Sequence, residues 1–188
     1  MKPEVASALV EEFKPTGEVL ELACGDGAFT RELARQARTL TAIDASPRML
    51  ARNREQLAPA SVKYINADLF SWTPDRRYDA VFFGFWLSHV PPPAFDAFWT
   101  LVQECLRPGG RVAFVDEDDR ARGNDELRLV GGVPAARRTL SDGRQLDVVK
   151  VFWDPSELEE RLRKLNWDIK IRRLNQPFMY GVGRHLDT

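Results

Sequence analysis

Cysteine is scarce: Cys24 and Cys105 are the only two in 188 residues, too few for a disulfide framework. Neither has His or Cys partners at ligand spacing, which argues against a zinc site and leaves no metal expected. Cys24 reads as a small buried residue. Long apolar runs are missing as well, and the opening Met1-Lys2-Pro3-Glu4 has no apolar signal region, so a chain without a membrane partner, in a reducing cytoplasm, is expected. Charge of one sign is not in excess, with 27 Lys and Arg against 28 Asp and Glu and a formal net charge of −1. That balance gives no general attraction to phosphate backbones, and no nucleic-acid partner is expected. The cluster Arg137, Arg138 and Arg144 is a weak local exception. No internal repeat, low-complexity tract or linker interrupts the chain, whose 188 residues fit a single domain, 1–188, working as a monomer or homodimer.

What the chain does have is alternation. Val5, Leu9 and Phe13 recur at helical spacing before Pro15-Thr16-Gly17. Apolar, β-branched runs then follow at Val19–Ala23, Leu40–Ile43, Val62–Ile65, Tyr78–Phe85 and Arg111–Val115, most of them followed by helical stretches. This is the βαβ pattern of a doubly wound, mostly parallel sheet between helical layers. Ser46 before Pro47, and Asp154-Pro155-Ser156-Glu157, carry helix-start chemistry. Leu69–Arg77 is short for a crossover helix and predicts a turn plus loop. At about 117–150 the alternation is lost, and Gly131-Gly132 and Ser141-Asp142-Gly143 predict an insertion over the open edge of the site that contains a hairpin. Past a helix at Pro155–Leu165, the extended pieces Asp168–Leu174 and Phe178–Arg184 are joined by only three residues and must pair antiparallel.

The first strand runs into Cys24-Gly25-Asp26-Gly27 and a helix starting near Ala28, an arrangement that brings backbone close to a ligand. Spacing alone is compatible with a nicotinamide-dependent oxidoreductase. The third small residue of a dinucleotide site is missing, however, because Thr30 stands there. Glu21 and Asp26 would also repel a pyrophosphate, whereas a carboxylate a few Å from an ammonium or sulfonium contributes about 1–4 kcal/mol. Asp44, ending the second strand, is placed to accept from ribose hydroxyls, because Ser46 already supplies the helix cap. Asp68 is placed to accept from an exocyclic adenine amine, with Met49 and Leu69 flanking the ring.

Taken in order, Val19-Leu20-Glu21-Leu22-Ala23-Cys24-Gly25-Asp26-Gly27, Ala42-Ile43-Asp44-Ala45-Ser46, Ala67-Asp68-Leu69, Tyr78-Asp79-Ala80-Val81 and Leu106-Arg107-Pro108-Gly109-Gly110 resemble class I S-adenosylmethionine-dependent methyltransferases. The resemblance spans nearly the whole chain and extends to Phe178-Met179-Tyr180-Gly181 in the last strand. It implies a Rossmann-like seven-stranded sheet with an antiparallel last strand, S-adenosylmethionine as donor and S-adenosylhomocysteine as product. It also implies that Gly25 and Gly27 lie against the methionine part, Asp44 on the ribose and Asp68 near the adenine, and those roles only; Glu21, Ala23, Asp26, Ala45, Met49, Leu69 and Phe85 complete the candidate cofactor set from their own chemistry and position. The N-terminal helix is short and has no aromatic or arginine-rich lid segment.

Methyl transfer from a sulfonium is an in-line displacement, so alignment dominates and a base is needed only where the acceptor holds a proton. The acceptor edge reads Gly84-Phe85-Trp86-Leu87-Ser88-His89-Val90-Pro91, without the Asn/Asp-Pro-Pro-aromatic signature of methyltransferases acting on base amines. His89, the only histidine before His185, suits a general base at neutral pH, or alternatively holds the loop before the following prolines. Trp86 and Asp116 are candidate acceptor contacts, although the run Asp116–Asp119 also reads as a solvated loop. Arg137 and Lys150 are candidates for recognising an acidic group. The expected activity is methyl transfer to an O or N atom of a small organic molecule, and a catalytically silent cofactor-binding regulatory subunit is the other reading compatible with these motifs.

Overall fold

The computed structural model describes residues 1–57, 61–124, 126–139 and 142–187. Helix α1 (Pro3–Phe13) precedes β1 (Glu18–Leu22), α2 (Thr30–Gln36), β2 (Thr39–Asp44), α3 (Pro47–Gln56), β3 (Val62–Asn66) and β4 (Tyr78–Gly84). Next come α4 (Phe95–Cys105), β5 (Leu106–Glu117), the three short strands β6 (Leu127–Val130), β7 (Val133–Thr139) and β8 (Gln145–Val149), then α5 (Pro155–Lys164), β9 (Trp167–Arg173) and β10 (Phe178–His185). Seven strands form the main sheet in the order β3-β2-β1-β4-β5-β10-β9. It is parallel from β3 to β5, and β10 pairs antiparallel with both β5 and β9. This is the doubly wound sheet that the alternation predicts, with the antiparallel end that the resemblance implies.

Parallel strands covered on both faces must be apolar on both, and they are: Val19, Leu20, Leu22, Val81, Phe82 and Phe83 are all fully buried. One face packs Phe83 and Phe114 against Phe98 and Trp99 of α4, and the other packs Phe82 between Phe13 of α1 and Phe29. Ser46 caps α3 by accepting from Met49 N at 3.3 Å, and Asp154 caps α5 by accepting from Ser156 N and Glu157 N. Between β3 and β4 the chain makes only a turn and loop, pinned by Asp68.

Three boundaries differ from the sequence reading. Helix α2 begins at Thr30 rather than near Ala28, because Phe29 drops its ring into the core, 3 % exposed, instead of entering the helix. β5 runs from Leu106 to Glu117 and not only over Arg111–Val115. Its extra length comes from pairing, since Leu106 faces Tyr78 across an irregularity and Asp116 and Glu117 face Met179 and Phe178 of β10. The solvated loop at Asp116–Asp119 is thereby replaced by a strand end in which Asp116 and Asp118 are fully buried. The insertion carries a three-stranded antiparallel sheet, β6-β7-β8, where the sequence predicts one hairpin. Ser141 of the second turn signal lies outside the described residues.

The buried Asp118 carboxylate at the end of β5 is gripped by Arg120 at 2.6 Å and Arg173 at 3.3 Å. Arg120 also donates to the carbonyls of Leu174 and Gln176 at 3.0 and 2.7 Å, closing the β9–β10 turn against this strand end. These partners hold the Asp118 pKa below its ordinary value despite burial. Asp118→Ala is expected to lower the unfolding free energy by about 2 kcal/mol near neutral pH in urea denaturation, less than for a fully enclosed pair because both arginines reach solvent. With a depressed native pKa the contribution is present above the ordinary carboxylate range and lost in acid, so the gap between the two proteins should close below about pH 4.

Candidate active site

Strand order reverses between β1 and β4, which leave in opposite directions across the sheet and open a crevice beyond their carboxyl ends. β1 delivers the glycine loop to this crevice and β4 delivers Phe85 and Trp86, and the register sets Leu22 beside Phe83 and Gly84 beside Val115. The backbone is strained where it leaves each strand: Ala23 has φ 51° and Phe85 has φ 55°. Non-glycine residues adopt such angles only when their surroundings impose them, and they concentrate at ligand sites. The Phe85 ring is fixed edge-on against Phe178 at 5.3 Å, and Gly84 leaves no space for a Cβ, which would meet the Phe29 ring at 2.4 Å. Met1, Pro3 and Ala6 line a cavity of about 210 Å³ with Gly27, Phe29 and Phe85, so the start of α1 lies beside the glycine loop.

Two side chains stitch that loop to the second βα unit. Asp44 accepts from Gly25 N at 2.9 Å with one oxygen and from Ser46 N at 2.8 Å with the other. Asn53 of α3 is fully buried; its amide donates to Thr30 Oγ1 at 2.8 Å and to Gly25 O at 3.3 Å, and its oxygen accepts from Tyr64 at 2.8 Å. At Gly27 φ is 103° and a Cβ would sit 2.9 Å from Asn53 Oδ1, so both angle and space demand glycine. Asn53 is absent from the sequence-predicted set. Its signal was a lone amide in the apolar stripe Leu50, Asn53, Leu57.

Glu21, 2 % exposed, points its carboxyl into the protein at the end of β1, with Oε2 buried and without a partner among the described residues. Burial pushes this carboxyl up to about 8, opposed by the Thr30 hydroxyl and reinforced by Asp44. Asp26 and Ala45 are exposed, Ala23, Gly25, Asp44 and Met49 half-buried, and Gly27 buried. Asp68 is exposed two residues beyond β3, where Oδ1 accepts from Phe70 N at 3.0 Å, and Leu69 beside it is buried at 7 %. Glu21, Gly25, Gly27 and Asp44 are thus brought together around one loop, with Met49 in the first turn of α3 and Asp68 just beyond β3.

A second polar group lies at the ends of β4 and β5. Buried Asp116 accepts from Ser88 N at 2.9 Å and Glu117 N at 2.7 Å, and burial pushes its carboxyl up. His89 Nδ1 is 2.8 Å from Val149 O. A carbonyl only accepts, so Nδ1 carries the hydrogen and Nε2 keeps a free lone pair. Burial, and next the Lys150 cation, hold the His89 pKa below its usual value, against the Val149 bond and the charges of Asp116 and Glu117. The Trp86 ring packs at a tilt against Phe70, 5.6 Å between centroids. Lys150 is turned inward, 4 % exposed, donating to Ser88 Oγ at 3.0 Å and pairing with Glu117. Arg137 Nε donates to Asp147 at 3.3 Å within the inserted sheet. The Lys150 ammonium is thus committed to internal partners, unlike the free head group that the acidic-acceptor expectation requires. No cluster of three or more His, Cys, Asp and Glu side chains able to hold a metal occurs among the described residues.

A family model described as "Methyltransferase domain" matches residues 19–110, the segment from β1 into the start of β5. The solved DhpI–SAH complex is 42% identical, covers 97% of this chain and 84% of its own, and superimposes with a TM-score of 0.82. The chain belongs to the S-adenosylmethionine-dependent methyltransferases. The family's donor is S-adenosylmethionine, and the same relative has been solved as a DhpI–SAM–HEP complex, 42% identical with a TM-score of 0.83 over 96% of this chain and 86% of that one. An uncharacterised methyltransferase of Mycobacterium bovis is 28% identical over 183 residues, covering 93% of this chain and 89% of the relative. A ubiquinone biosynthesis O-methyltransferase of Xylella fastidiosa is 35% identical over 153 residues, which are 77% of this methyltransferase but 58% of the longer relative. Membership displaces the nicotinamide reading and fits the crevice: the partnerless Glu21 oxygen and the open space over Gly25, with no atom within 4 Å of a Cβ built there, suit a cationic group against bare backbone.

Asn53→Leu keeps the volume and removes the link to the glycine loop, leaving Gly25 O, Thr30 and Tyr64 short of partners. It is expected to cost about 2 kcal/mol in chemical denaturation and to weaken S-adenosylhomocysteine binding in calorimetry. Unchanged affinity would show that the loop holds its shape without α3.

Proposed function

We propose that this methyltransferase transfers a methyl group to an oxygen or nitrogen atom of a small organic molecule, with His89 as the general base. The observation that carries the reading is the tautomer of His89: the Val149 carbonyl fixes hydrogen on Nδ1, and the depressed pKa keeps Nε2 unprotonated at neutral pH. Bound S-adenosylmethionine supplies an electrophilic methyl on a sulfonium, open to in-line attack.

Under this reading Asp26 makes the bend after β1 negative, Glu21 gives up its proton as the positive donor arrives, and Gly25 and Gly27 let the backbone approach its methionine part. Each Asp44 oxygen already accepts one backbone N–H, and a carboxylate has about four acceptor sites, so capacity remains for two ribose hydroxyls. Asp68 keeps an oxygen for the adenine amine, Met49 and Leu69 flank the ring, and Ala23, Ala45 and Phe85 line the remaining wall. Trp86, beside the strained Phe85, faces the acceptor. His89 Nε2 removes the acceptor's proton as the new bond forms. A small acceptor is supported by the relatives: DhpI is solved with SAM together with HEP, and the Xylella protein is named an O-methyltransferase.

Incubation of enzyme and donor with a metabolite extract, followed by mass spectrometry, is expected to yield a product heavier by one methyl group. No such product across a wide acceptor panel, despite tight S-adenosylhomocysteine binding, would favour the silent regulatory subunit. On the acceptor so found, His89→Ala is expected to lower kcat by about a hundredfold, and a loss under about threefold would leave His89 a purely structural role. Because the His89 pKa lies below its usual value, kcat should stay flat through neutrality and fall only below about pH 6.5.

A further inference from the structure

A lysine ammonium buried at 4 % exposure is costly unless paired, and an apolar chain of similar length would serve the core at least as well. Lys150 sits just past β8, and its neighbours make the same crossing: Val149 O accepts from His89 Nδ1 at 2.8 Å and Val151 N donates to Ser88 O at 2.8 Å. Lys150 N is itself anchored to Pro134 O of β7 at 3.0 Å, and its Nζ donates to Ser88 Oγ while pairing with Glu117. Three consecutive residues of the insertion thus grip two consecutive residues of the loop after β4, and the middle one places a full charge at the grip.

We propose that Lys150 is a positioning residue for methyl transfer, fastening the His89 loop to the inserted sheet through Ser88 and Glu117. This inference rests on the reading of His89 as base but makes a separate claim. Lys150 touches neither donor nor acceptor; it fixes the ring's position and supplies the cation that opposes a second proton on it. The charges around His89 are Lys150 from the insertion and Asp116 and Glu117 from β5. Removing Lys150 withdraws a repulsive cation and leaves both carboxylates uncompensated, and both changes favour imidazolium.

The test is an NMR titration of the His89 imidazole in the full chain with S-adenosylhomocysteine bound, with His89→Asn separating its signal from that of His185. Lys150→Met is expected to raise the His89 midpoint by about one pH unit, lower kcat at neutral pH about tenfold on the acceptor identified above, and leave S-adenosylhomocysteine affinity within about twofold. Lys150→Arg, which keeps the charge, should keep the midpoint close to that of the parent. A Lys150→Met midpoint that stays in place would overturn the proposal. If the midpoint moves but the acidic limb of kcat does not follow it, Lys150 positions His89 and His89 is not the base. Should Lys150→Met fail to fold, Glu117→Gln gives the opposite arm: an anion is lost and the cation remains, so the midpoint must fall, and a rise would refute the arrangement.

Discussion

A carboxyl group carried into the interior by a parallel strand has few ways to satisfy itself, and Glu21 at the end of β1 uses only part of them. Its neighbours are the Thr30 hydroxyl and, electrostatically, another acid, Asp44, while Oε2 has no hydrogen-bond partner among the described residues. Such a group destabilises the empty protein, and the surrounding structure exists to hold it in place: β2 and β4 flank the strand on both sides, and Asp44 and Asn53 fix the loop that follows. The polarity of the crevice follows from this one placement. A dry strand end whose carboxyl ionises only when an opposite charge arrives offers nothing to phosphate and rewards a cation.

The crevice is assembled from parts that are far apart in the chain. The donor side is local, built by β1, β2 and their turns. The side around His89 needs β4, the buried end of β5 and the last strand of the insertion, which meet through Ser88, His89, Asp116 and residues 149–151. β10 stabilises both, because it extends β5 to Glu117 and brings Phe178 against Phe85. The inserted sheet is therefore joined to the parent sheet by a few hydrogen bonds at His89, the base proposed above.

The seven-stranded sheet was legible because each of its parallel strands is a short apolar run closed by a turn, and the loop at Gly25 to Gly27 was legible because the donor side depends on neighbours in sequence. Strand ends were less so. β5 extends over Asp116 and Glu117, which read as solvated because four acids in a row carry no hint that β10 will cover two of them. Lys150 reads as a substrate cation from its charge, and only the tertiary contact shows it facing inward. Asn53 was hidden for the same reason: its three hydrogen bonds go to α2, the glycine loop and β3, none of them nearby in the chain.

The buried strand end awaits a positive charge, and proton linkage measures this directly. With its pKa near 8 in the empty protein, Glu21 is mostly protonated at pH 7, and a cationic group arriving beside it must displace that proton. Titrating S-adenosylhomocysteine into the protein at pH 7 in buffers of different ionisation enthalpy is therefore expected to show release of close to one proton per site, vanishing in Glu21→Gln. Binding with no net proton release in the parent protein, or the same release in Glu21→Gln, would contradict the account.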